Sequence, residues 1–163
     1  MITIQSLPES RWQEYRDLRL EALSCDFVAF GSSYEEEKNF SEEEWKRRVK
    51  NALFAVSNNK PIGVIVCIQE EKSRTKHVAN IYSVYVSPQF REQGVGKQLM
   101  SAILNKISKN QTIVKVKLMV NPLQKAAVYL YQRHGFEIVG TLRKEMYVNG
   151  KFYDELIMEK LVR

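Results

Sequence analysis

The stretch "SPQFREQGVGKQL", Ser87–Leu99, follows a β-branched and aromatic run, "VANIYSVYV" (Val78–Val86), and leads into helical spacing. Val78–Val86 predicts a strand. Leu99, Met100, Ile103, Leu104 and Ile107 form the apolar stripe of a helix ending near Asn110. Between the two, Gly94 and Gly96 stand one residue apart. Glycine packs nothing and costs conformational entropy, so such a pair marks backbone that something approaches closely.

Two common nucleotide cradles fail here. A dinucleotide fingerprint needs a third glycine where Leu99 stands, and an acidic residue about 20 positions further on. A Walker-type loop needs glycine at Arg91 and Ser or Thr at Gln98. A third reading starts from the helix itself. Its start has no Ser, Thr, Asp or Asn in the capping place, and Arg91 and Lys97 put positive charge where the helix dipole disfavours it. Both oddities disappear if an anion sits on the first amides, flanked by the two cations. The rival is a plain strand-to-helix turn with exposed cations.

Working outward, "MITIQSL" reads as a first strand. Ser10 with Gln13 resembles a capping box, before a helix of Trp12, Tyr15, Leu18, Ala22 and Leu23. A second helix begins with the pair Ser41 and Glu44, with Phe40 and Trp45 placed as a hydrophobic staple. "LFAVS", the turn "NNKP" and "IGVIVCIQ" predict a tight hairpin. "IVKVKLMV" places Val114, Val116, Leu118 and Val120 on one face of a strand. "KAAVYLYQRHGF" predicts a short helix stopped at Gly135. "FEIVGTL" and "FYDELIMEKLV" are final strands, with Asn149–Gly150 as the turn of their hairpin. The expectation is one α+β domain over residues 1–163, with a mixed, mostly antiparallel sheet of about seven strands and about four helices.

The chain has 163 residues, 44% hydrophobic and 27% charged, which predicts a folded protein with a substantial core. No apolar run approaches the ~20 residues that span a bilayer, and "MITIQSLPES" lacks the basic and apolar regions of a secretory leader. Cys25 and Cys67 read as buried, inert thiols in a reduced, cytoplasmic setting. With only His77 and His134 to join them, no metal site is expected. A net charge of +6 favours an anionic partner without choosing among nucleic acid, an acidic surface and a phosphate-bearing small molecule. The basic residues form no single tract, so neither a nucleic acid nor a membrane is expected as partner.

"VYVSPQFREQGVGKQL" resembles the acetyl-CoA signature of the GCN5-related N-acetyltransferase (GNAT) superfamily, with Arg91, Gly94 and Gly96 in the signature positions. A second block, "VNPLQKAAVYLYQRHGF", is similar to that family's Asn-x-x-Ala-x-x-Leu-Tyr-x-x-x-Gly-Phe segment, with Ala127, Leu130, Tyr131, Gly135 and Phe136 in register. Gln124 replaces the asparagine three residues before the alanine, and Asn121 lies slightly upstream.

The resemblance implies an acyl-CoA N-acyltransferase fold, opening between the fourth and fifth strands, with acetyl-CoA as donor. It implies that backbone groups of Val84, Tyr85 and Val86 pair with the pantetheine arm like an added strand. It also implies that Arg91, Glu92, Gln93, Gly94, Val95, Gly96 and Lys97 hold the pyrophosphate, with Asn121 and Gln124 as further cofactor contacts.

Tyr131 stands where the family carries a general acid able to protonate the departing thiolate, and so counts as both a catalytic and a cofactor-binding residue. Packing of one helix face is its alternative role, and Tyr129 reads as packing. An alkyl amine acceptor, with a pKa of about 10.4, must lose a proton before it attacks. Some relatives use a glutamate on the fourth strand for this, and "VANIYSVYV" has none. Tyr82, Glu35 and Glu36 are the water-organising candidates. "YEEEKNFSEEE" reads as a solvated helix face lying where such folds build the acceptor pocket. His134 is expected at a helix end, and His77 in a loop or at a strand start.

The implied activity is direct acetyl transfer to a primary amine of a small molecule or a peptide N-terminus. Its rivals are an acyl-CoA-binding sensor without catalysis and a basic nucleic-acid-binding module. A homodimer is left open.

Overall fold

Asn58 and Asn59 both adopt left-handed backbone (φ 48° and 61°), as a two-residue hairpin turn demands. They join β2 (Ala52–Ser57) to β3 (Lys60–Gln69), and β1 (Ile2–Gln5) pairs antiparallel with β2 from Ile2↔Ser57 to Gln5↔Phe54. At the other end of the chain, Asn149 and Gly150 (φ 49° and 80°) turn β6 (Glu137–Val148) into β7 (Lys151–Leu161). With β4 (Val78–Val86) and β5 (Lys115–Val120) they form one seven-stranded sheet in the order β1-β2-β3-β4-β5-β7-β6. β4 and β5 pair in parallel, while the β1–β2, β2–β3, β5–β7 and β6–β7 pairs are antiparallel. The computed structural model describes residues 1–163. The expected α+β fold with its mixed, mostly antiparallel sheet is the fold observed.

Contacts divide the chain into two compact units: Met1–Cys67 with Ser83–Asn105, and Ile68–Tyr82 with Lys106–Arg163. In the first, α1 (Trp12–Cys25) buries Tyr15, Leu18 and Ala22, and α3 (Glu42–Val49) buries Trp45 and Val49. They share a core with Phe54, Val56, Val64, Val66 and Tyr85. Tyr15 meets Trp45 and Phe54 edge-on at 5.7 and 5.4 Å, the arrangement that aromatic quadrupoles favour.

The caps differ from expectation. Pro8 leads into a short 3-10 turn over Glu9–Arg11, which absorbs Ser10. α1 therefore starts on Arg11 with no side-chain cap, and no Ser10–Gln13 box forms. Ser41 does cap α3 through Glu44 N (3.2 Å), and Phe40 lies 5.7 Å from Trp45 as a staple would. Glu44, however, spends its carboxylate on Arg47 and Arg48, so the box is one-sided. The reciprocal box sits on α2 (Tyr34–Glu37), where Ser33 Oγ accepts from Glu36 N and Glu36 Oε2 accepts from Ser33 N. This four-residue helix brings the α-helices to five, against about four expected.

The second unit is built on β5 and β7, antiparallel from Lys115↔Leu161 to Val120↔Leu156. Val116, Leu118, Val120 and Met158 are buried, while Val114 is exposed and precedes the strand. α5 (Lys125–Arg133) ends at Gly135 (φ 82°), and Tyr131 meets Phe136 edge-on at 6.2 Å.

Candidate active site

Within β4, Ser83 has φ 55°. A left-handed non-glycine residue inside a strand is uncommon and interrupts the extended run. Beyond it, Tyr85 is buried between half-buried Val84 and Val86. The Tyr85 hydroxyl donates to Glu21 Oε1 at 2.8 Å, and burial first, then this bond, raises its pKa, so the phenol stays protonated. β3 lies close on this segment: a Cβ on Gly63 would stand 3.0 Å from the Tyr85 carbonyl oxygen and 3.2 Å from Leu99 Cδ1. The β4–β5 ladder ends at Asn80↔Lys117, although β4 continues to Val86 and β5 to Val120.

After β4 comes a 3-10 turn, Pro88–Phe90, and then the loop into α4 (Val95–Ser108). Glu92 and Gly94 both take left-handed backbone (φ 61° and 76°). Nothing lies within 4 Å of a Cβ built on Gly94, so conformation rather than space asks for glycine there. The first bond of α4 runs from Gln98 N to Gly94 O (3.0 Å), which makes Gly94 a cap without a side chain. The amides of Val95, Gly96 and Lys97 precede that ladder and point out of the helix start. Left-handed turns before a helix start present several N–H groups to one point, a concavity suited to phosphate oxygens. This chain's residues therefore fit the pyrophosphate of an acyl-CoA.

Arg91 is engaged differently from the flanking cation of the sequence reading. Its amide donates to Pro88 O (3.2 Å), its Nε to Val86 O (2.9 Å) and its Nη2 to Asp26 Oδ2 (2.7 Å). The guanidinium also lies 5.5 Å from the Tyr85 ring centroid. Arg91 thus ties the loop to the end of β4 and to the residue after α1. Lys97, in contrast, is exposed on the first turn of α4.

In the second unit, Asn121 follows β5 and is buried, with Oδ1 accepting from Leu123 N (2.9 Å) and its backbone carbonyl from Gln124 N (2.9 Å). Gln124 caps α5 through its backbone, its side chain making no cap bond. Tyr131 is 6% exposed, and burial pushes its pKa up. Its ring meets Phe136, so the acid role and the packing role share one placement. Tyr129 is exposed on the same helix and does not act as packing.

Of the water-organising candidates, Tyr82 is exposed, Glu36 closes the cap of α2, and Glu35 pairs with Lys38. The acidic run is not uniformly solvated. Glu37 is fully buried, accepting from Arg19 Nε (2.9 Å) and Nη2 (2.7 Å), with Arg48 Nη1 at 3.3 Å. His134 sits at the end of α5 with Nδ1 2.8 Å from Leu130 O, and the His77 carbonyl accepts from Val114 N just before β4. Cys25 is exposed and Cys67 half-buried, which corrects the reading of two buried thiols: α1 ends at Cys25 and turns its last residue outward.

Sequence reasoning missed Ser83, Asp26, Glu37 and the buried Glu155 of β7. No helix is long and apolar enough to cross a membrane.

Residues 12–136 match the acetyltransferase (GNAT) family, and the chain belongs to it. It is 24% identical over 126 residues to the L-amino acid N-acetyltransferase AaaT of Escherichia coli, covering 74% of this chain and 77% of that one. It is 26% identical over 141 residues to an uncharacterised N-acetyltransferase of Methanocaldococcus jannaschii, covering 83% of this chain but only 60% of that one. A GNAT-family acetyltransferase from Streptococcus pneumoniae superposes over the full length of both chains with a TM-score of 0.90 at 22% identity. yncA from Salmonella typhimurium, solved with its cofactor acetyl-CoA, gives a TM-score of 0.87 at 13% identity over 100% of this chain and 95% of that one.

Proposed function

We propose that this chain is an acetyl-CoA-dependent N-acetyltransferase that moves an acetyl group directly to a primary amine of a small molecule or a peptide N-terminus. Residues 1–163 act as one N-acetyltransferase domain, in the cytoplasm. The observation that carries the reading is the loop before α4, where left-handed Glu92 and Gly94 precede the free amides of Val95, Gly96 and Lys97. Family membership and the acetyl-CoA held by yncA support the donor's identity. The name of the Escherichia coli relative supports an amine acceptor. None of these supports a non-catalytic acyl-CoA sensor or a nucleic-acid module.

In this reading the amides from Glu92 to Lys97 bind the pyrophosphate, and Arg91 fixes the loop that carries them. Backbone groups of Val84, Tyr85 and Val86 take the pantetheine arm, with the Val86 carbonyl shared with Arg91 Nε. Asn121 and Gln124 add contacts. Acetyl-CoA supplies the acyl group in activated, thioester form. Tyr131 holds a proton on Oη for the departing sulfur, and burial, which raises its pKa, keeps the phenol protonated in the resting site.

Thiol release from acetyl-CoA is measured across L-amino acids, polyamines, aminoglycosides and short peptides with free N-termini. Amine-dependent release is expected, and its absence on every acceptor overturns the reading. Tyr131→Phe should keep the Kd for acetyl-CoA and lose about 10²–10⁴ in kcat. Equal turnover, with chemistry rate-limiting, returns Tyr131 to a packing role.

A further inference from the structure

The carboxyl end of α1 carries negative charge where a helix favours positive. Its free carbonyls already leave that end partly negative, and its last turn has no Lys, Arg or His. Yet Glu21 stands just before that turn and Asp26 directly after it. Asp26 is answered from within the protein, by Arg91 Nη2 at 2.7 Å. Glu21 meets a neutral group instead: its Oε1 accepts from the Tyr85 hydroxyl at 2.8 Å, beside the Cys25 thiol one helical turn on. The Glu21 side chain is exposed, so Oε2 is open to solution.

These residues belong to the same compact unit as the loop before α4. Tyr85 is the link between them. Its backbone lies between Val84 and Val86, in the segment read as taking the pantetheine arm, and its ring is buried in the core shared by α1 and α3. Its hydroxyl, at the far end of that ring, reaches Glu21. Arg91, 5.5 Å from the ring centroid, continues into the loop whose amides suit a pyrophosphate. The Glu21 carboxylate therefore stands about one tyrosine side chain away from the β4 backbone. A straight chain of about four or five carbons spans that length. An amine attacking a thioester laid along β4 has an open carboxylate at that remove, set at the negative end of a helix.

We infer that the acceptor carries a second positive charge and that Glu21 selects it, Oε2 receiving the distal ammonium of a linear diamine while the near amine is acetylated. The inference rests on the acetyltransferase reading and narrows its amine class. The distal ammonium keeps its protons throughout, so no bond is made or broken at Glu21. Tyr85 is the positioning residue: by donating to Oε1 it fixes the carboxylate and leaves Oε2 for the ligand. Asp26 does not compete, because Arg91 already holds it. A charge-assisted bond from the ammonium improves binding by roughly tenfold or more.

Tetramethylenediamine and pentamethylenediamine are compared with butylamine and pentylamine, which match them in length and lack the second charge. In wild type, kcat/KM should favour each diamine over its monoamine by about tenfold or more, and added salt should erode the preference. In Glu21→Gln the amide oxygen still accepts from Tyr85, so the urea midpoint and the Kd for acetyl-CoA should stay near wild type. The preference should fall to the statistical advantage of two equivalent amines. Glu21→Asp, charged but shorter, should keep part of it. A wild type without the preference overturns the inference, and so does a preference that Glu21→Gln retains. A loss shared equally by diamine and monoamine also overturns it, leaving Glu21 as a support for Tyr85. If wild type acetylates no amine, the acetyltransferase reading falls first and this inference with it.

Discussion

Replacing Glu37 by Gln should cost more stability than any surface change in the acidic run around it. The side chain is fully buried on the four-residue α2 and binds Arg19 of α1 through two bonds, at 2.9 and 2.7 Å. Arg48 of α3 approaches at 3.3 Å. One carboxylate therefore joins three helices. Burial alone would raise its pKa, but the hydrogen bonds from Arg19, then the charges of Arg19 and Arg48, hold it below the ordinary carboxylate range.

Gln keeps the shape and removes the charge, leaving Arg19, itself 5% exposed, without a counter-ion. Breaking a buried pair from one side costs about 3–5 kcal/mol. At roughly 2–4 °C per kcal/mol for a chain of this size, the loss in Tm is about 6–20 °C. Replacing both partners, Arg19→Met with Glu37→Leu, removes the stranded charge and should recover most of that loss.

The pH dependence has a definite sign. Because the folded pKa is depressed, the Glu37 contribution is complete above the unfolded value and fades as pH falls through the folded one. Wild type and Glu37→Gln should therefore converge in urea midpoint as the buffer is taken below about pH 4. A variant within about 1 kcal/mol of wild type at neutral pH would refute the reasoning, as would a double variant as unstable as the two single changes added together.

The remaining predictions concern the donor side. Gly63→Ala places a methyl 3.0 Å from the Tyr85 carbonyl, a backbone atom that cannot swing aside. It should cost about 1–3 kcal/mol and raise the KM for acetyl-CoA, both read from denaturation and initial rates, and an unchanged KM would count against the role of β4. Asp26→Asn removes a negative charge that holds Arg91 at 2.7 Å. Both residues are partly exposed, so stability should change by less than about 1 kcal/mol. Calorimetry should show acetyl-CoA binding tightened by roughly fivefold at low salt, fading as salt rises. Weaker binding would instead make Asp26 a positioning group for Arg91.

The hairpin turns, the helical stripes and the glycine pair were legible because each rests on local chemistry. Asn58–Asn59 and Asn149–Gly150 name their own turns, and Gly94 marks the left-handed residue that begins α4. What stayed hidden depends on distant neighbours. Glu35, Glu36 and Glu37 are the same letter in a row, and only the placement of Arg19 and Arg48 makes the third a core residue. Ser10 looked like a cap until Pro8 imposed a 3-10 turn that moved the helix start past it. Arg91 reads as a cofactor contact, and only the fold reveals that its side chain also spans Val86 and Asp26, a partner 65 positions away. Glu155 stands beside Asp154 in β7, so the charged pair reads as outward-facing until burial shows otherwise.

Ser83 has a consequence of a different kind. Its left-handed backbone interrupts the alternation of β4, so it acts as a frame marker: residues on either side are counted from it. Substitution by Asn or Gly, which tolerate that conformation, should be silent. Deletion would shift Tyr85 by one place, turning its ring out of the aromatic core and its hydroxyl away from Glu21. Everything downstream to the start of α4 would be displaced by the same step. At this point in the chain the number of residues matters more than their identity.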